Sequence, residues 1–95
     1  MIIVNQNEDE FVNFDNIMCV NITDCEEDGW LISAGFIVGR DDNYRELGYY
    51  KTEKRAKTVL QEIVNKYKEY VKVQNNSHDV RQVTTIPTVY EMPKE

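Results

Sequence analysis

One amphipathic segment in the second half of the chain constrains the fold more than any other feature. Apolar residues recur every three or four positions, and at 100° per residue they fall within an arc of about 140°. Thr52 is a suitable N-cap, and Glu53 places an acidic side chain in the first turn. The pattern predicts a helix from Thr52 to about residue 73, with a stripe that another layer must cover. The stripe comprises Ala56, Val59, Leu60, Ile63, Val64, Tyr67, Tyr70 and Val71.

Glu62 and Lys66 stand four residues apart outside this stripe. The spacing predicts an ion pair on the solvent side of the helix.

The covering layer is predicted from short β-prone runs that precede the helix. They are residues 1–5, 11–14, 17–23, 30–38 and 44–50, separated by polar turns. Trp30–Val38 is the longest apolar run, and Gly35 within it predicts a bulge or a bend. Because every connection in this half is too short for a parallel crossover, the strands are expected to form an antiparallel meander.

Residues after the helix divide into a polar run and a last β-prone segment. Residues 74–87 are predicted to be a flexible polar loop, and 88–95 a C-terminal strand and tail that pairs with the first strand. The expected fold class is α+β: an antiparallel β-meander of five to six strands packed on one C-terminal amphipathic helix. Ninety-five residues make one domain, with its core in residues 1–73.

The net charge of −6 is unevenly distributed. Residues 1–48 contain eleven acidic and two basic residues, a net charge of −9, whereas residues 49–95 have a net charge of +3. Direct binding to nucleic acid requires a basic surface and is therefore not expected.

The residue types used for catalysis and metal binding do not form a recognisable motif. Cys19 and Cys25 have a spacing that matches no common zinc or redox site, so both are expected to be reduced, with Cys19 packed in its strand. The acidic clusters lie in turns, and the single histidine, His78, lies in the predicted loop. We therefore expect no enzyme activity, no cofactor and no metal.

The first residues, Met1–Asn5, are too few for a signal peptide or a membrane span. No membrane association is expected, and the predicted location is the cytoplasm.

Three surface features are the best candidates for binding. Arg40, Tyr44 and Arg45 surround one predicted hairpin and could form a contact patch. A second hairpin carries Glu26, Glu27 and Asp28 at its tip. The third feature is a basic stripe beside the apolar face of the helix, formed by Lys54, Lys57, Gln61, Lys68 and Lys72.

Several segments form a recognisable pattern: Met1-Ile2-Ile3-Val4, Val12-Asn13-Phe14-Asp15-Asn16, Leu47-Gly48-Tyr49-Tyr50-Lys51-Thr52-Glu53, Arg55-Ala56-Lys57, Val59-Leu60-Gln61-Glu62-Ile63 and Val89-Tyr90-Glu91-Met92-Pro93. The chain resembles a family of small uncharacterised proteins of Gram-positive bacteria and of their phages and mobile elements. The resemblance implies an accessory protein encoded on such an element, and it assigns no activity or ligand.

These features favour a small non-enzymatic interaction module that acts through macromolecular contact or self-association, with a protein partner or a second copy of the chain. The contact is expected at a sheet edge, which offers unpaired N–H and C=O groups, or at the helix flank. The alternative is an anti-defence inhibitor, which would either mimic nucleic acid through its acidic residues or sequester a nucleotide signal. Neutralising Glu26, Glu27 and Asp28 would abolish the mimic and spare the nucleotide-binding form. Arg45→Ala would have the opposite effect.

Overall fold

The computed structural model describes residues 1–38, 41–76 and 88–95, and the side chains of residues 1–36, 43–70 and 88–95. Within these ranges the chain forms six strands and one helix, which confirms the α+β class. The elements are β1 (Ile2–Val4), β2 (Phe11–Asn13), β3 (Cys19–Asp24), β4 (Trp30–Val38), β5 (Asp41–Tyr50), α1 (Glu53–Asn76) and β6 (Val89–Glu91). Short 3-10 turns at Phe14–Asn16 and Glu26–Asp28 precede β3 and β4, respectively.

The strands are divided between two three-stranded sheets, with the orders β2-β1-β6 and β3-β4-β5. The predicted return of the C-terminal tail to the first strand is confirmed, since Ile3 pairs with Tyr90. This pair is parallel, unlike the meander predicted for the other strands. A parallel pair is possible here because nearly the whole domain, including α1, connects β1 to β6.

The β3-β4-β5 sheet is antiparallel and contains one bulge. Ile32 pairs with Gly48 and Ser33 with Glu46, so Leu47 is the extra residue. The Leu47 side chain is 2% exposed and points into the core. A bulge at Gly35 is therefore wrong in position, because Gly35 pairs regularly with Tyr44.

The predicted N-terminus of α1 is confirmed. Thr52 Oγ1 accepts a hydrogen bond from the Arg55 N–H at 3.1 Å, and the Thr52 carbonyl accepts one from Ala56 at the same distance. The helix ends at Asn76, three residues beyond the predicted end, and residues 77–87 of the predicted loop lie outside the described residues.

The predicted ion pair between Glu62 and Lys66 is wrong. Glu62 Oε2 accepts a hydrogen bond from the Tyr90 hydroxyl at 2.7 Å, whereas Lys66 Nζ lies 3.9 Å from Glu69 Oε2. Glu62 is exposed, but its carboxylate is bonded to β6 and not to its neighbour on the helix.

One core lies between the two sheets and the helix. It is built from Ile3, Tyr90 and Met92 of the first sheet and its tail, Ile32, Ala34 and Leu47 of the second, and Ala56, Val59 and Ile63 of α1, together with Met1 and Tyr50. The face of the β3-β4-β5 sheet that carries Ile32 and Ala34 covers the apolar stripe of α1. We call the opposite face the outer face.

Gln6, in the turn after β1, joins the two sheets. Its main-chain N–H donates to the Leu47 carbonyl at 2.7 Å. Its side chain donates to the carbonyls of Tyr49 and Lys94 at 2.9 and 2.8 Å, and accepts from the Tyr49 N–H at 2.9 Å. These bonds place β1 and β6 beside β5, on the side of the second sheet that lies away from β3.

Candidate functional site

The predicted patch of Arg40, Tyr44 and Arg45 is divided by the pleat of β5. Neighbouring residues of a strand point to opposite faces of a sheet, and Tyr44 and Arg45 do so here. Arg40 lies outside the described residues. The two described members of the patch therefore do not form one surface.

Arg45 lies beside a cleft between β2 and β5. Its Nε is 3.6 Å from Glu10 Oε1, and its guanidinium carbon is 5.9 Å from the centre of the Phe36 ring. Phe11 and Ile17 also line this cleft, which has a volume of about 460 Å³. Its walls combine aromatic side chains with Arg45, which is paired with Glu10. The described residues that line it do not place a nucleophilic side chain next to a base.

Tyr44 lies on the outer face, where its ring covers Gly35. A Cβ atom at Gly35 would lie 2.9 Å from Tyr44 Cε1 and 2.8 Å from the Cys19 sulfur. Glycine at this position therefore allows the tyrosine ring and the cysteine to approach the middle strand. This is the physical role of Gly35, for which the sequence suggested a bend.

Glu26, Glu27 and Asp28 form the acidic turn at the far end of the same sheet, and all three are exposed. The turn is held by Asp24 Oδ1, which accepts a hydrogen bond from the Glu26 N–H at 2.9 Å. It adjoins Trp30, five strand residues or about 17 Å from the Gly35–Tyr44 pair. The acidic turn and the arginine–tyrosine patch are thus separate features.

No three acidic, cysteine or histidine side chains within the described ranges are grouped so that they could hold a metal ion.

The tyrosine hydroxyls that are bonded in the core stabilise the fold. Burial raises the pKa of Tyr50 to about 12, and its hydroxyl donates to the Pro93 carbonyl at 2.7 Å. Burial and the hydrogen bond to Glu62 raise the pKa of Tyr90 as well. Both phenols are therefore protonated donors at neutral pH.

Both cysteines are free thiols. Cys19 is exposed on β3, so the prediction that it is packed in its strand is wrong. Cys25 directly follows β3 and is partly exposed. Six residues of extended chain span about 20 Å, far more than the roughly 7 Å between Cα atoms that a disulfide bridges, so the two thiols of one chain cannot pair.

The sequence predicted contact through a sheet edge without identifying the strand, and in the described part of the chain β3 forms such an edge. This strand is the last in the order β3-β4-β5, and no described strand pairs with its other side. The Cys25 N–H donates to the Gly29 carbonyl, and antiparallel pairs alternate, so Cys19, Asn21 and Thr23 bond to β4. The N–H and C=O groups of Val20, Ile22 and Asp24 consequently point outward.

The β3 edge has few of the features that usually prevent strand pairing. Proteins protect such edges with lysine, proline or bulges. The six residues Cys19–Asp24 contain no lysine or proline, and their register with β4 is regular. The β-prone run at residues 17–23 predicted a strand here, but only the sheet order shows that this strand is an edge.

The basic stripe of α1 lies beside this edge. Arg55 and Glu62 lie on one flank of the helix and contact Glu95 and Tyr90, on the β5 side of the domain. The opposite flank, which includes Lys57 and Lys68, is therefore the one nearer to β3, whereas Lys54 and Gln61 lie further round towards solvent; all four side chains are exposed. Lys57 Nζ pairs with Glu53 at 2.8 Å. The side chain of Lys72 lies outside the described ones.

Val64, on the same side of the helix, is 37% exposed. The basic flank and Val64 provide a mixed charged and apolar border to the β3 edge.

No family model matches the chain, and neither a curated protein nor a solved structure is similar to it at a significant level. No helix in the described part of the chain is long and apolar enough to cross a membrane.

Proposed function

We propose that this protein is a non-enzymatic binding module that adds a strand of another polypeptide to the β3 edge. The observation that carries the proposal is the side of Cys19–Asp24 that no described strand pairs with, where three residues direct their N–H and C=O groups outward. Strand addition derives affinity from these main-chain groups and specificity from alternate side chains. The proposal includes an accessory role on a phage or mobile element, in line with the family resemblance.

The surroundings of the edge support strand addition over binding in a cleft. Val20 and Ile22 are half-buried on the face that packs against α1, so an added strand could extend that packing. Val64 and the basic flank border the same side. An incoming strand with apolar residues facing α1 and acidic residues near the helix would match this border.

The test uses a defined probe, a library of random twelve-residue peptides selected against the purified protein. The peptides selected are then titrated while hydrogen exchange is followed at individual amides. Strand addition predicts slower exchange at the Val20, Ile22 and Asp24 amides, because these donors would acquire a partner. Protection confined to the cleft beside Phe36 and Arg45, or failure to select any peptide, would refute the proposal.

A matched pair of variants distinguishes the contribution of the Ile22 N–H to binding from that of the Ile22 side chain. Ile22→Pro removes an outward N–H without removing a bond to β4, and proline is tolerated on edge strands. Ile22→Ala shortens the side chain to a similar degree and retains the N–H. We expect the alanine variant to bind the selected peptides and the proline variant to lose at least tenfold in affinity. If circular dichroism shows that the proline variant is unfolded, the proposal is tested by the hydrogen-exchange pattern of the wild-type complex alone.

A further inference from the structure

The β3 edge is complementary to itself. We propose that two copies of this chain pair through β3 in an antiparallel arrangement, with the two-fold axis at Ile22. This inference rests on the proposed function and names the partner as a second copy. The pairing would join two three-stranded sheets into one six-stranded sheet with a helix of each copy on the same face.

The alternation of main-chain groups restricts the register. Only Val20, Ile22 and Asp24 point outward, so hydrogen-bonded pairs across the axis must be made among these three. An axis at Ile22 pairs it with the partner's Ile22, and pairs Val20 with the partner's Asp24. All three residues of each copy are then used, whereas an axis at Asn21 or Thr23 uses only two. Centring on Ile22 therefore makes the most hydrogen bonds.

The same register brings the two cysteines of different copies together. Cys19 and Cys25 are equally distant from Ile22, so Cys19 of one copy lies opposite the partner's Cys25. This is a pair without main-chain hydrogen bonds, in which Cα atoms are about 4.5 Å apart. That separation is at the short end of the range that disulfides bridge. Both thiols are accessible, and Cys19 lies on the outer face beside Gly35 and Tyr44.

The charges near the edge are also complementary across the axis. The ring of Phe14, five residues before Cys19, lies 4.7 Å from that of Tyr67, so the second half of α1 lies near the start of β3. Lys68 is exposed in that half. The antiparallel pairing carries the partner's Asp24 and acidic turn towards this end of β3 and its lysine. The two-fold axis repeats this arrangement at the other end of the paired strands.

The first experiment tests the register with charges on the outer face. Asn21 and Thr23 are exposed, and the proposed axis places each opposite the other residue of the partner. Asn21→Lys with Thr23→Lys puts like charges opposite each other at two places. Asn21→Lys with Thr23→Glu puts opposite charges at the same two places. Dissociation constants would be measured by analytical ultracentrifugation from about 1 μM to 1 mM chain, a range that covers micromolar affinities.

We expect the lysine–lysine variant to dissociate more readily than the wild type, by about 2-fold to 30-fold for two cross-strand pairs. The lysine–glutamate variant should associate at least as tightly as the wild type. The difference cannot come from net charge, because the lysine–lysine variant is less acidic and its copies repel each other less. Equal constants for the two variants, or a monomeric wild type at 1 mM, would overturn the proposal.

The second experiment traps the dimer through its thiols, with Cys19→Ser and Cys25→Ser variants treated with the azo oxidant diamide. Diamide takes two hydrogen atoms from a pair of thiols, which become one disulfide, and is reduced to the corresponding hydrazine. Each variant alone should remain uncrosslinked, since its remaining thiol lies about 20 Å from the partner's identical thiol. An equal mixture should give a crosslinked dimer in up to half of the pairs. Crosslinking of either variant alone to the same extent, or none in the mixture, would contradict the register.

The outcomes distinguish this inference from the proposed function. A monomer that binds the selected peptides with protection at β3 would overturn the dimer and retain the binding module. A monomer whose β3 amides are already protected without peptide would show that another segment of the same chain covers the edge, and would overturn both.

Discussion

Gln6 provides the sharpest test of how the two sheets are held together. Gln6→Ala removes a side chain that bonds to the N–H and C=O of Tyr49 and to the carbonyl of Lys94. A further contact to the Pro93 carbonyl at 3.2 Å shares the same amide group. The main-chain bond from Gln6 to Leu47 remains in the variant. The substitution therefore weakens the hydrogen bonding between β5 and the C-terminal tail without removing a strand or the helix.

The size of the effect follows from the number of bonds. Three well-formed hydrogen bonds, each worth a net 1 kcal/mol or so, are lost, and some of the released groups can bond to water. We expect Gln6→Ala to lower the free energy of unfolding by about 2–3 kcal/mol. For a domain of this size that corresponds to a decrease in Tm of roughly 10–20 °C. This is a large part of the 5–15 kcal/mol that typically stabilises a domain.

The assay is urea unfolding followed by the fluorescence of Trp30, the single tryptophan, with all variants at the same chain concentration. The matched control is Asn7→Ala, at an exposed neighbouring position, which should change stability by less than about 0.5 kcal/mol. If Gln6→Ala lowers the free energy of unfolding by no more than Asn7→Ala does, the side-chain bonds of Gln6 do not hold the sheets together.

Gln6→Glu adds a test of bond direction. Its carboxylate can still accept from the Tyr49 N–H but repels the carbonyls to which Gln6 donates. This raises the pKa of the new group above the usual 4.3 or so of glutamate. The uncharged acid can donate, so the deficit relative to wild type should be smallest at pH 4 and should grow as pH rises through the folded-state pKa. A deficit independent of pH would contradict the assigned donors.

Three further outcomes follow from the structure. Gly29→Ala should cost about 2–4 kcal/mol in urea unfolding, because φ is +95° and a Cβ would lie 2.5 Å from the Tyr50 carbonyl oxygen. Gly35→Ala should cost only about 1 kcal/mol in the same assay, since its Cβ meets side chains that can rotate, such as Cys19; equal costs would refute this distinction. In an alkaline titration at 295 nm, the ionisation of Tyr50 and Tyr90 should be displaced to high pH. The protonated hydroxyls of these two tyrosines contribute to stability fully below about pH 10, the usual pKa of tyrosine. This contribution is lost as the pH rises through their pKa values in the folded state, so unfolding near pH 12 should accompany their ionisation.

Local sequence patterns predicted the elements and the return of the C-terminal tail to β1, but not the side-chain contacts between distant elements. The bounds of β4 were predicted as Trp30–Val38 because a long β-branched and aromatic run has no competing helical period. Thr52 was predicted as the N-cap because its hydroxyl acts within one turn. In contrast, Glu62 was paired with Lys66, because nothing near Glu62 in sequence shows that the Tyr90 hydroxyl bonds to it.

The candidate site depends still more on long-range pairing. Tyr44 and Arg45 are adjacent in sequence and seemed to form one patch, but the pleat sends them to opposite faces. The cysteine spacing matched no known motif within one chain. In the proposed dimer the spacing places Cys19 of one copy opposite the partner's Cys25, because Ile22 lies midway between the two cysteines.

The sequence by itself determined the α+β class, the approximate positions of the main strands and the start of the helix, although β5 begins at Asp41, in a predicted turn, and not at residue 44. These depend on periodicity, capping and turn chemistry, which act over a few residues. The tertiary structure decided the division into two sheets, the parallel return of β6 and the choice of β3 as an open edge. Each of these depends on which main-chain groups meet across long separations, and Gln6 shows the reason most directly. One turn residue joins β5 and the C-terminal tail through bonds to positions 43 and 88 residues away.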